Sequence, residues 1–365
     1  MTSFTVAHAE GAHWSDITEA CLRDLAGAGG NLGFVYATDR LAEHLGGILE
    51  ALRDGTGIDD WVGTVGLGIC AGDREYHDRP ALVVMLADLP PGSFHLVSGS
   101  LASGTPVPEL DGWIAERGAP FGIVHGNPRD PGLPDALNDL AERSSGFLVG
   151  GLTASRRGSP QVAAGTEAKS DSGLAPGPVS GVLFGPAVEV ATGLSQGCAP
   201  IGDYHSITEA SENVIMKLDD RPALDVFKQD AGDLIARDLG RAVGYIHAAF
   251  PVPGADTGDY MVRNLMGIDP KQGWLAVGEA VELGQRLRFV RRDPASARAD
   301  LADMLTHLKS RLPGAPKGGV YVSCVARGPG MFGEEGAEMA ILREALGEVP
   351  LAGFYAGGEI SNARL

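Results

Sequence analysis

The sequence predicts a mixed α/β protein with two layered α/β domains, whose sheets contain both parallel and antiparallel strands. Apolar runs suited to strands alternate with helical apolar periods through the first half of the chain. The second half adds closely spaced strands, which is typical of antiparallel pairs. An apolar segment that breaks into glycines occurs three times, at Trp61–Gly72, Phe147–Ala154 and Leu351–Ser361. We call these segments the glycine cassettes and expect related α/β units with backbone-lined loops near a shared cleft.

Caps, apolar periodicity and turn residues predict the elements of the first half in order. Between and around the first two cassettes we expect a helix at Ser15–Ala26 with Ser15 as its N-cap, a strand at Leu32–Ala37, a helix opened by Asp39, strands at Ala81–Leu86 and Phe94–Val97, a helix at Leu110–Arg117, a strand at Phe121–His125 and a helix at Leu133–Arg143. After the second cassette we expect a loop or weak hairpin at Ser155–Gly177, strands at Gly181–Phe184 and Val188–Thr192, and a hairpin at Ser206–Leu218.

The turn Asp219–Pro222 is the predicted domain boundary, so the chain divides into a helical lead-in (1–29), a first α/β domain (30–220) and a second (221–365). The second domain is expected to contain a helix at Ala223–Leu239, strands at Tyr245–Phe250, Tyr260–Ile268, Trp274–Val281 and Gln285–Arg292, a helix at Ala295–Leu312, a strand at Gly319–Val325 and a helix at Glu335–Leu346.

The composition excludes several classes of partner. The formal net charge is −18, from 47 acidic and 29 basic residues, and such a surface repels nucleic-acid backbones and anionic membranes. Four arginines lie close together in the sequence, at Arg286, Arg288, Arg291 and Arg292. They form either a local basic patch or the charged face of one strand and the residues at its end. The four cysteines are far apart, which fits a reducing cytoplasm and gives no zinc motif. The start of the chain lacks the features of a secretory signal, and no stretch is long enough for a transmembrane helix, so we expect a cytoplasmic protein.

Familiar catalytic motifs fit poorly. Gly193–Gly197 matches G-x-S-x-G, but the residues that follow do not predict the helix that a nucleophile elbow requires. The glycines of Gly66–Gly72 lack the spacing and the helix start of a dinucleotide-binding loop. The nine histidines are scattered, and none can be nominated as a haem or metal ligand. We therefore predict no cofactor, with haem as the alternative.

Three side chains near the last cassette are chemically notable. Cys324 ends a strand just before Arg327, so it is either an activated thiolate or a buried structural cysteine. Arg327 is either the partner of a ligand carboxylate or part of a structural salt bridge, for which Glu359 is a candidate partner. Glu359 is either the partner of a ligand amine or an acceptor that fixes its own loop.

The chain also resembles the FIST family of ligand-sensing proteins from about Gly30 onward. The resemblance rests on VRNLMGID, LGQRLRFVRRDP, YVSCVARG and LAGFYAGGEIS in the second half, and on the second cassette with ITEASENVIMKLDDRPALDVF. It implies an intracellular sensor of small ligands, with amino acids suggested as ligands and haem in some relatives. Because no output domain is attached, a separate signalling partner is implied. Relatives usually continue beyond Asn362–Leu365 with another strand, so the last sheet is expected to be incomplete.

We therefore expect a sensor that binds an amino acid or a small carboxylate, rather than an enzyme. The alternatives are an enzyme acting on a small polar metabolite in the same cleft and a haem-based sensor of nitric oxide. The predicted ligand-binding residues lie at apolar strand ends, where α/β sheets usually bind ligands. They are Gly150, Gly151, Thr153, Cys324, Arg327, Gly328, Gly357, Gly358 and Glu359.

Overall fold

A computed structural model of the protein describes residues 3–99, 107–165, 173–232, 239, 244–251 and 260–361. The chain forms two compact units. Unit 1 comprises Met1–Thr192 and Leu308–Leu365, and unit 2 comprises Gly193–His307. Parts of the predicted loop Ser155–Gly177 and of the predicted helix Ala223–Leu239 lie outside the described residues, as does the segment Asn362–Leu365 on which the expectation of an incomplete last sheet falls.

The strands alternate with helices in unit 1 and follow one another closely in unit 2. The strands are β1 (Ser3–Glu10), β2 (Leu32–Thr38), β3 (Trp61–Gly66), β4 (Gly68–Ala71), β5 (Arg74–His77), β6 (Ala81–Asp88), β7 (Phe94–Gly99), β8 (Phe121–Gly126), β9 (Phe147–Leu152), β10 (Gln161–Ala164), β11 (Val179–Phe184), β12 (Cys198–Pro200), β13 (His205–Ser211), β14 (Val214–Leu218), β15 (Arg221–Pro222), β16 (Ile246–Pro251), β17 (Tyr260–Asp269), β18 (Trp274–Val277), β19 (Arg286–Arg292), β20 (Gly319–Cys324), β21 (Leu351–Ala356) and β22 (Glu359–Ser361). The helices are α1 (Trp14–Asp24), α2 (Leu45–Thr56), α3 (Pro108–Arg117), α4 (Leu133–Ser144), α5 (Ala223–Ala231), α6 (Pro294–Arg311), α7 (Gly328–Phe332) and α8 (Ala337–Leu346), with a 3-10 helix at Asp39–His44.

The predicted fold class is confirmed, because the sheets mix parallel and antiparallel strands and pack in layers with helices. In unit 1 the sheet β1-β6-β2-β3-β10 packs against α1 and α2 on one face. Its other face shares an apolar core with the sheets β22-β9-β8-β11-β7 and β20-β21-β4-β5. Helices α3 and α4 cover the far side of the strands around β8. In unit 2 the antiparallel sheet closes on itself, because β19 pairs with both β13 and β16.

The structure differs from the sequence predictions at three places. The chain begins with β1, which pairs with β6, so the lead-in is not only helical. Helix α1 begins one residue earlier than expected, with His13 rather than Ser15 at its N-cap. The segment Val188–Thr192, expected to be a strand, has no regular structure. Its side chains are mostly half-buried or exposed, so the alternation that favoured a strand has no sheet face to fill. Among the described residues, no helix combines the length and apolar character needed to cross a membrane.

The three glycine cassettes share one architecture. Each contains the second strand of a parallel pair, and the pairs are β2–β3, β8–β9 and β20–β21. A helix lies between the two strands of every pair, so the cassettes end three β-α-β units, as the sequence predicted. One glycine in each cassette lies so close to the first strand that a Cβ atom would overlap a backbone carbonyl oxygen. These glycines and the residues whose carbonyls they approach are Gly63 with Val35, Gly150 with Val124 and Gly353 with Tyr321.

His125 is a buried polar residue of the unit 1 core, at the end of β8. Its Nε2 lies 3.2 Å from the Tyr36 hydroxyl, and its ring packs edge-on against Tyr36 and Phe354. Burial lowers the pKa of His125 to about 3, so the folded protein holds it neutral at ordinary pH. The unfolded chain takes up this proton below a pKa of about 6.5.

We predict that His125 makes unit 1 less stable in mild acid. Because the unfolded state binds the proton and the folded state does not, the free energy of unfolding should fall as the pH drops below about 6.5. The contribution approaches 1.4 kcal/mol per pH unit, or roughly 2 kcal/mol between pH 7 and pH 5. Urea unfolding of wild type and His125→Gln at both pH values measures it, with the exposed His13→Gln as control. An equal acid loss in His125→Gln and wild type would disprove this origin.

Candidate functional site

The carboxyl ends of the three cassettes meet in unit 1. The Ala154 amide donates to the Val65 carbonyl at 3.2 Å, which joins the second cassette to the first. The Gly357 amide donates to the Leu152 carbonyl at 3.0 Å, which joins the third cassette to the second. The expected convergence of glycine-rich strand ends is therefore present. This junction joins distant segments, because the first and third cassettes are more than roughly 200 residues apart in the chain.

The predicted glycines of the second and third cassettes take part in this packing. Gly150 and Gly151 lie in β9 between β8 and β22, and Gly151 is directly opposite Glu359 in the β22 ladder. A Cβ atom on Gly151 would be only 2.6 Å from the Ala356 side chain of the neighbouring sheet. Close approach of the paired strand at Gly150 and of the neighbouring sheet at Gly151 therefore explains these glycines without a ligand. Their role in ligand binding stays a prediction.

Thr153, Gly357 and Gly358 continue the same junction. The Thr153 side chain is buried, and its hydroxyl lies 2.7 Å from the Thr64 hydroxyl of the first cassette. Gly358 accepts a hydrogen bond from the Leu152 amide at 2.8 Å. These backbone and hydroxyl groups hold the cassettes together, which places the predicted residues of both sequence halves in one unit.

Arg327 forms a buried ion pair with Glu338, as one of the two sequence interpretations expected, although the sequence suggested Glu359 as the partner. Its Nε donates to Glu338 Oε1 at 2.8 Å, and the Arg327 side chain is only 6% exposed. The guanidinium also lies over the Phe332 ring, 5.2 Å from its centroid. The neighbouring Gly328 has φ of 59°, which favours glycine, and its amide donates to Glu338 Oε2 at 3.3 Å. Arg327 and Gly328 thus both contribute to one carboxylate site that belongs to the protein itself.

Glu338, near the start of α8, is the centre of this buried network. Its carboxylate is fully buried and accepts hydrogen bonds from several groups. Besides Arg327 and Gly328, the donors are the hydroxyls of Tyr321 at 2.8 Å, Ser323 at 3.0 Å and Tyr355 at 3.1 Å. So many donors fix the carboxylate in place, and Glu338 therefore holds this network together.

Glu75 connects this network to the surface. From β5 its Oε1 accepts the backbone amides of Glu338 at 3.0 Å and Met339 at 3.3 Å, so it caps the amino end of α8. Its Oε2 lies 3.4 Å from Nε2 of His77. Burial alone would raise the pKa of Glu75, but the hydrogen bonds from His77 and from the start of α8 outweigh it and lower that pKa. Glu75 is therefore a charged carboxylate at neutral pH.

A pocket with a volume of about 280 Å³ opens beside Glu75. Its lining carries four carboxylates and two guanidinium groups, together with Tyr76 and the backbone at Gly336. The charged residues are Glu10, Asp73, Glu75, Glu335, Arg74 and Arg79. Four negative and two positive groups leave the lining with a formal charge of about −2 at neutral pH.

Ion pairs organise one wall of this pocket. Arg79 forms two hydrogen bonds with Glu335, at 2.6 and 2.5 Å, and a third with Glu10 at 3.3 Å. Two carboxylates therefore share one guanidinium. Arg74 is exposed at the rim. The pocket thus offers acceptors for a cation and one exposed cation for an anionic group.

Sequence reasoning missed Glu338 and Glu75, although α8 was predicted. Glu338 precedes buried Leu342 by four residues, so it lies on the buried face of the helix. A glutamate on the apolar face of a helix indicates a buried carboxylate that needs a positive partner, and Arg327 lies nearby in the sequence. No sequence signal pointed to Glu75, because the helix that it caps begins roughly 260 residues later in the chain.

Cys324 is the last residue of β20, and a turn follows it. The Arg327 amide closes this turn by donating a hydrogen bond to the Cys324 carbonyl at 2.9 Å. Cys324 is the one cysteine of the four that is partly exposed. Burial, with a contribution from Asp24, raises the pKa of the Cys21 thiol to about 12, and burial raises that of Cys70 strongly.

We predict that Cys324 reacts first with iodoacetamide, because a thiol must be both accessible and ionisable to react. Timed labelling of the native protein followed by peptide mapping measures the order. Faster modification of buried Cys21, Cys70 or Cys198 would refute the prediction.

The weaker motifs of the sequence also have places in the structure. Ser195 of G-x-S-x-G donates to Asp300 at 2.7 Å, and the short strand β12 follows rather than a helix, so the elbow geometry is absent there. Within the part of the chain that the structure describes, no group of three or more histidine, cysteine, aspartate or glutamate side chains is arranged to hold a metal ion.

Comparisons with known proteins agree with the architecture. The model of the FIST N domain matches residues 31–221, and that of the FIST C domain matches residues 223–362. An uncharacterised protein of Mycobacterium tuberculosis, Rv0628c, is 34% identical over 315 residues, covering 82% of this chain and 78% of its own length. An uncharacterised protein of Mycobacterium bovis, Mb0898c, is 32% identical over 350 residues, covering 90% of this chain and 84% of its own. FIST domains are generally associated with small-ligand sensing in signal transduction. The chain therefore belongs to the FIST family, with a FIST N and a FIST C domain together covering nearly all of it.

Proposed function

We propose that this protein is a sensor that binds an amino acid or a closely similar amine in the pocket beside Glu75 and acts through a separate signalling partner. The observation that carries the proposal is the lining of that pocket, in which carboxylates outnumber guanidinium groups by four to two. A pocket of about 280 Å³ is at the small end of the usual range for ligand sites, which suits a metabolite of amino-acid size.

The charges suggest an orientation for the ligand. An ammonium group is best accommodated beside the exposed carboxylates of Glu10 and Glu335, because the Glu75 side chain is fully buried. Exposed Arg74 then offers its guanidinium to the ligand carboxylate. The proposed anchor thus differs from the sequence expectation, in which Arg327 met the carboxylate, because the Arg327 Nε is engaged by Glu338.

The position of Glu75 also supports a route from ligand to protein. The same carboxylate accepts the first amides of α8 and contacts His77. A cation bound beside Glu335 lies close to Glu75 and to the start of α8, and its charge changes how strongly Glu75 holds the first amides of that helix. Because Glu338 lies in that first turn, the change reaches Arg327 and Tyr355. A partner that recognises this part of unit 1 would detect the ligand.

We predict that at least one common L-amino acid raises the melting temperature of the purified protein. A ligand at a hundredfold excess over its dissociation constant adds about 2.7 kcal/mol to the free energy of unfolding. A thermal-shift screen of the amino acids measures this, with the N-acetyl derivative of each as the matched control. The derivative should give no shift, because acetylation removes the ammonium charge.

Two outcomes would contradict the proposal. Equal stabilisation by the N-acetyl derivatives would show that the ammonium group is not recognised. If the stabilising compound is chemically changed during incubation, as measured by mass spectrometry, the protein is an enzyme acting on a small polar metabolite rather than a sensor.

A further inference from the structure

Strand β19 of unit 2 carries three arginines on the face opposite Leu287 and Phe289, with the buried side chain of Val290 among them. Leu287 and Phe289 belong to the main apolar cluster of this unit. Arg286, Arg288 and Arg292 alternate with them and so lie on the other face. Three guanidinium groups in one row are unusual in a chain with a net charge of −18. The sequence left open whether these arginines form a binding patch.

Two tyrosine rings order the arginines of this row. The guanidinium carbons of Arg286 and Arg288 each lie 4.7 Å from the centroid of the Tyr204 ring. The guanidinium of Arg288 is also 5.1 Å from the centroid of the Tyr260 ring. When aromatic rings cover the faces of a guanidinium, its N–H groups remain available at the edges. The tyrosines therefore hold the arginines in fixed positions without using their hydrogen-bonding capacity.

One donor on this face, the buried Nε of Arg288, lacks a hydrogen-bond partner among the described residues. His247 lies beside it, is 6% exposed, and interacts with the Asn264 side chain. His247 is opposite Val290 and Arg288 is opposite Ala249 in the β16–β19 ladder, so the two side chains are diagonal neighbours on one face. Buried donors without acceptors cost free energy, so an acceptor is expected here.

His247 is suited to a neighbour of negative charge. Burial lowers the pKa of His247, and the charge of Arg292 lowers it further, while Asn264, opposite it in the β16–β17 ladder, acts against the shift. An anion bound beside Arg288 and Arg292 would offset the charge of both arginines and accept an N–H from the imidazole. A water molecule would satisfy one donor, but it would not neutralise three guanidinium groups.

We propose that this face of unit 2 binds a small oxyanion of the phosphate class. Arg286, Arg288 and Arg292 supply forked N–H donors, and His247 supplies one more. Several guanidinium groups suit a multivalent phosphate, whose oxygens accept more forks than a single carboxylate does. The site is separate from the pocket beside Glu75, so it does not depend on the proposed function.

Isothermal titration of the full-length protein with inorganic pyrophosphate at constant ionic strength tests the proposal. Arg286→Gln and Arg288→Gln should each weaken binding by about tenfold or more, the usual effect of losing a charged hydrogen bond. Arg286 is exposed, so its variant tests the site even if Arg288→Gln fails to fold. The matched control is Arg291→Gln, on the same strand but with its Nε paired to Asp293, which should change the affinity by less than about twofold.

Added ligands separate the sources of the phosphate group. Tighter binding of adenosine diphosphate than of pyrophosphate would assign the site to the phosphoryl groups of a larger metabolite, and the reverse order would assign it to the free anion. The proposal is overturned if the wild type gives no binding heat with either compound. It is also overturned if Arg291→Gln weakens binding as much as Arg286→Gln, or if malonate binds as tightly as pyrophosphate.

Discussion

Replacing Glu338 by glutamine is expected to lower the free energy of unfolding by about 3–5 kcal/mol, the range for removing one partner of a buried ion pair. The substitution keeps the shape of the side chain but leaves Arg327 as a buried charge without its carboxylate. The new amide N–H groups would also face the hydroxyl donors of Tyr321 and Tyr355. Urea unfolding followed by circular dichroism measures the loss.

The control for this prediction is Glu344→Gln, on the same helix but exposed to solvent. It makes the same chemical change, from glutamate to glutamine, at a solvent-exposed position. We expect it to change the free energy of unfolding by less than about 0.5 kcal/mol. A similar small loss in both variants would mean that the buried network contributes little to stability.

Replacing Gly353 by alanine is expected to cost at least about 3 kcal/mol, the upper end of the range for overpacking. An added Cβ would overlap the Tyr321 carbonyl oxygen and lie 2.8 Å from the Cys70 sulfur. Because the oxygen belongs to the neighbouring parallel strand, it cannot rotate away without breaking the β20–β21 pairing. Thermal and urea unfolding measure this cost.

Gly357→Ala is the matched control within the same cassette. The nearest atom to a Cβ at Gly357 is 3.8 Å away, which is ordinary van der Waals contact. We expect this variant to unfold within about 0.5 kcal/mol of wild type. If the two glycines tolerate alanine equally, close strand packing is not the reason for glycine in the cassettes.

The cassettes show how far the sequence predicts this fold. Apolar runs ending in glycine predicted strands, related α/β units and their convergence, because these depend on local pattern and on the short reach of β-α-β connections. The pattern did not reveal why glycine is needed. Gly150 and Gly353 are required by neighbouring backbones that lie elsewhere in the chain, whereas the sequence suggested an open loop for a ligand.

The division into units was not visible in the sequence either. The predicted boundary at Asp219–Pro222 lies beside the junction of the two family domains, which meet between residues 221 and 223. The compact unit Gly193–His307 instead takes residues from both domains. Its sheet closes through pairing of β13 with β19, which are about 80 residues apart, and such long-range antiparallel pairing leaves no local signal.

The sequence named two residues of the polar centre, while their role in ligand binding stays a prediction. Arg327 and Gly328 do contribute to a polar centre, but the carboxylate at that centre is Glu338. The nearby pocket is lined mainly by residues of β5 and its neighbouring turns. Glu75 joins the two through the start of α8. The partners of a buried charge depend on tertiary packing, so a single sequence can nominate a charged residue but not its partner.

The proposed function depends most on an ammonium group binding beside the exposed carboxylate of Glu335. Isothermal titration with the amino acid that gives the largest thermal shift tests this directly, using wild type, Glu335→Gln and the exposed control Glu344→Gln. We expect Glu335→Gln to weaken binding by about tenfold or more, because one charged hydrogen bond is lost, and Glu344→Gln to bind as tightly as wild type. An unchanged dissociation constant in Glu335→Gln would contradict the proposed site.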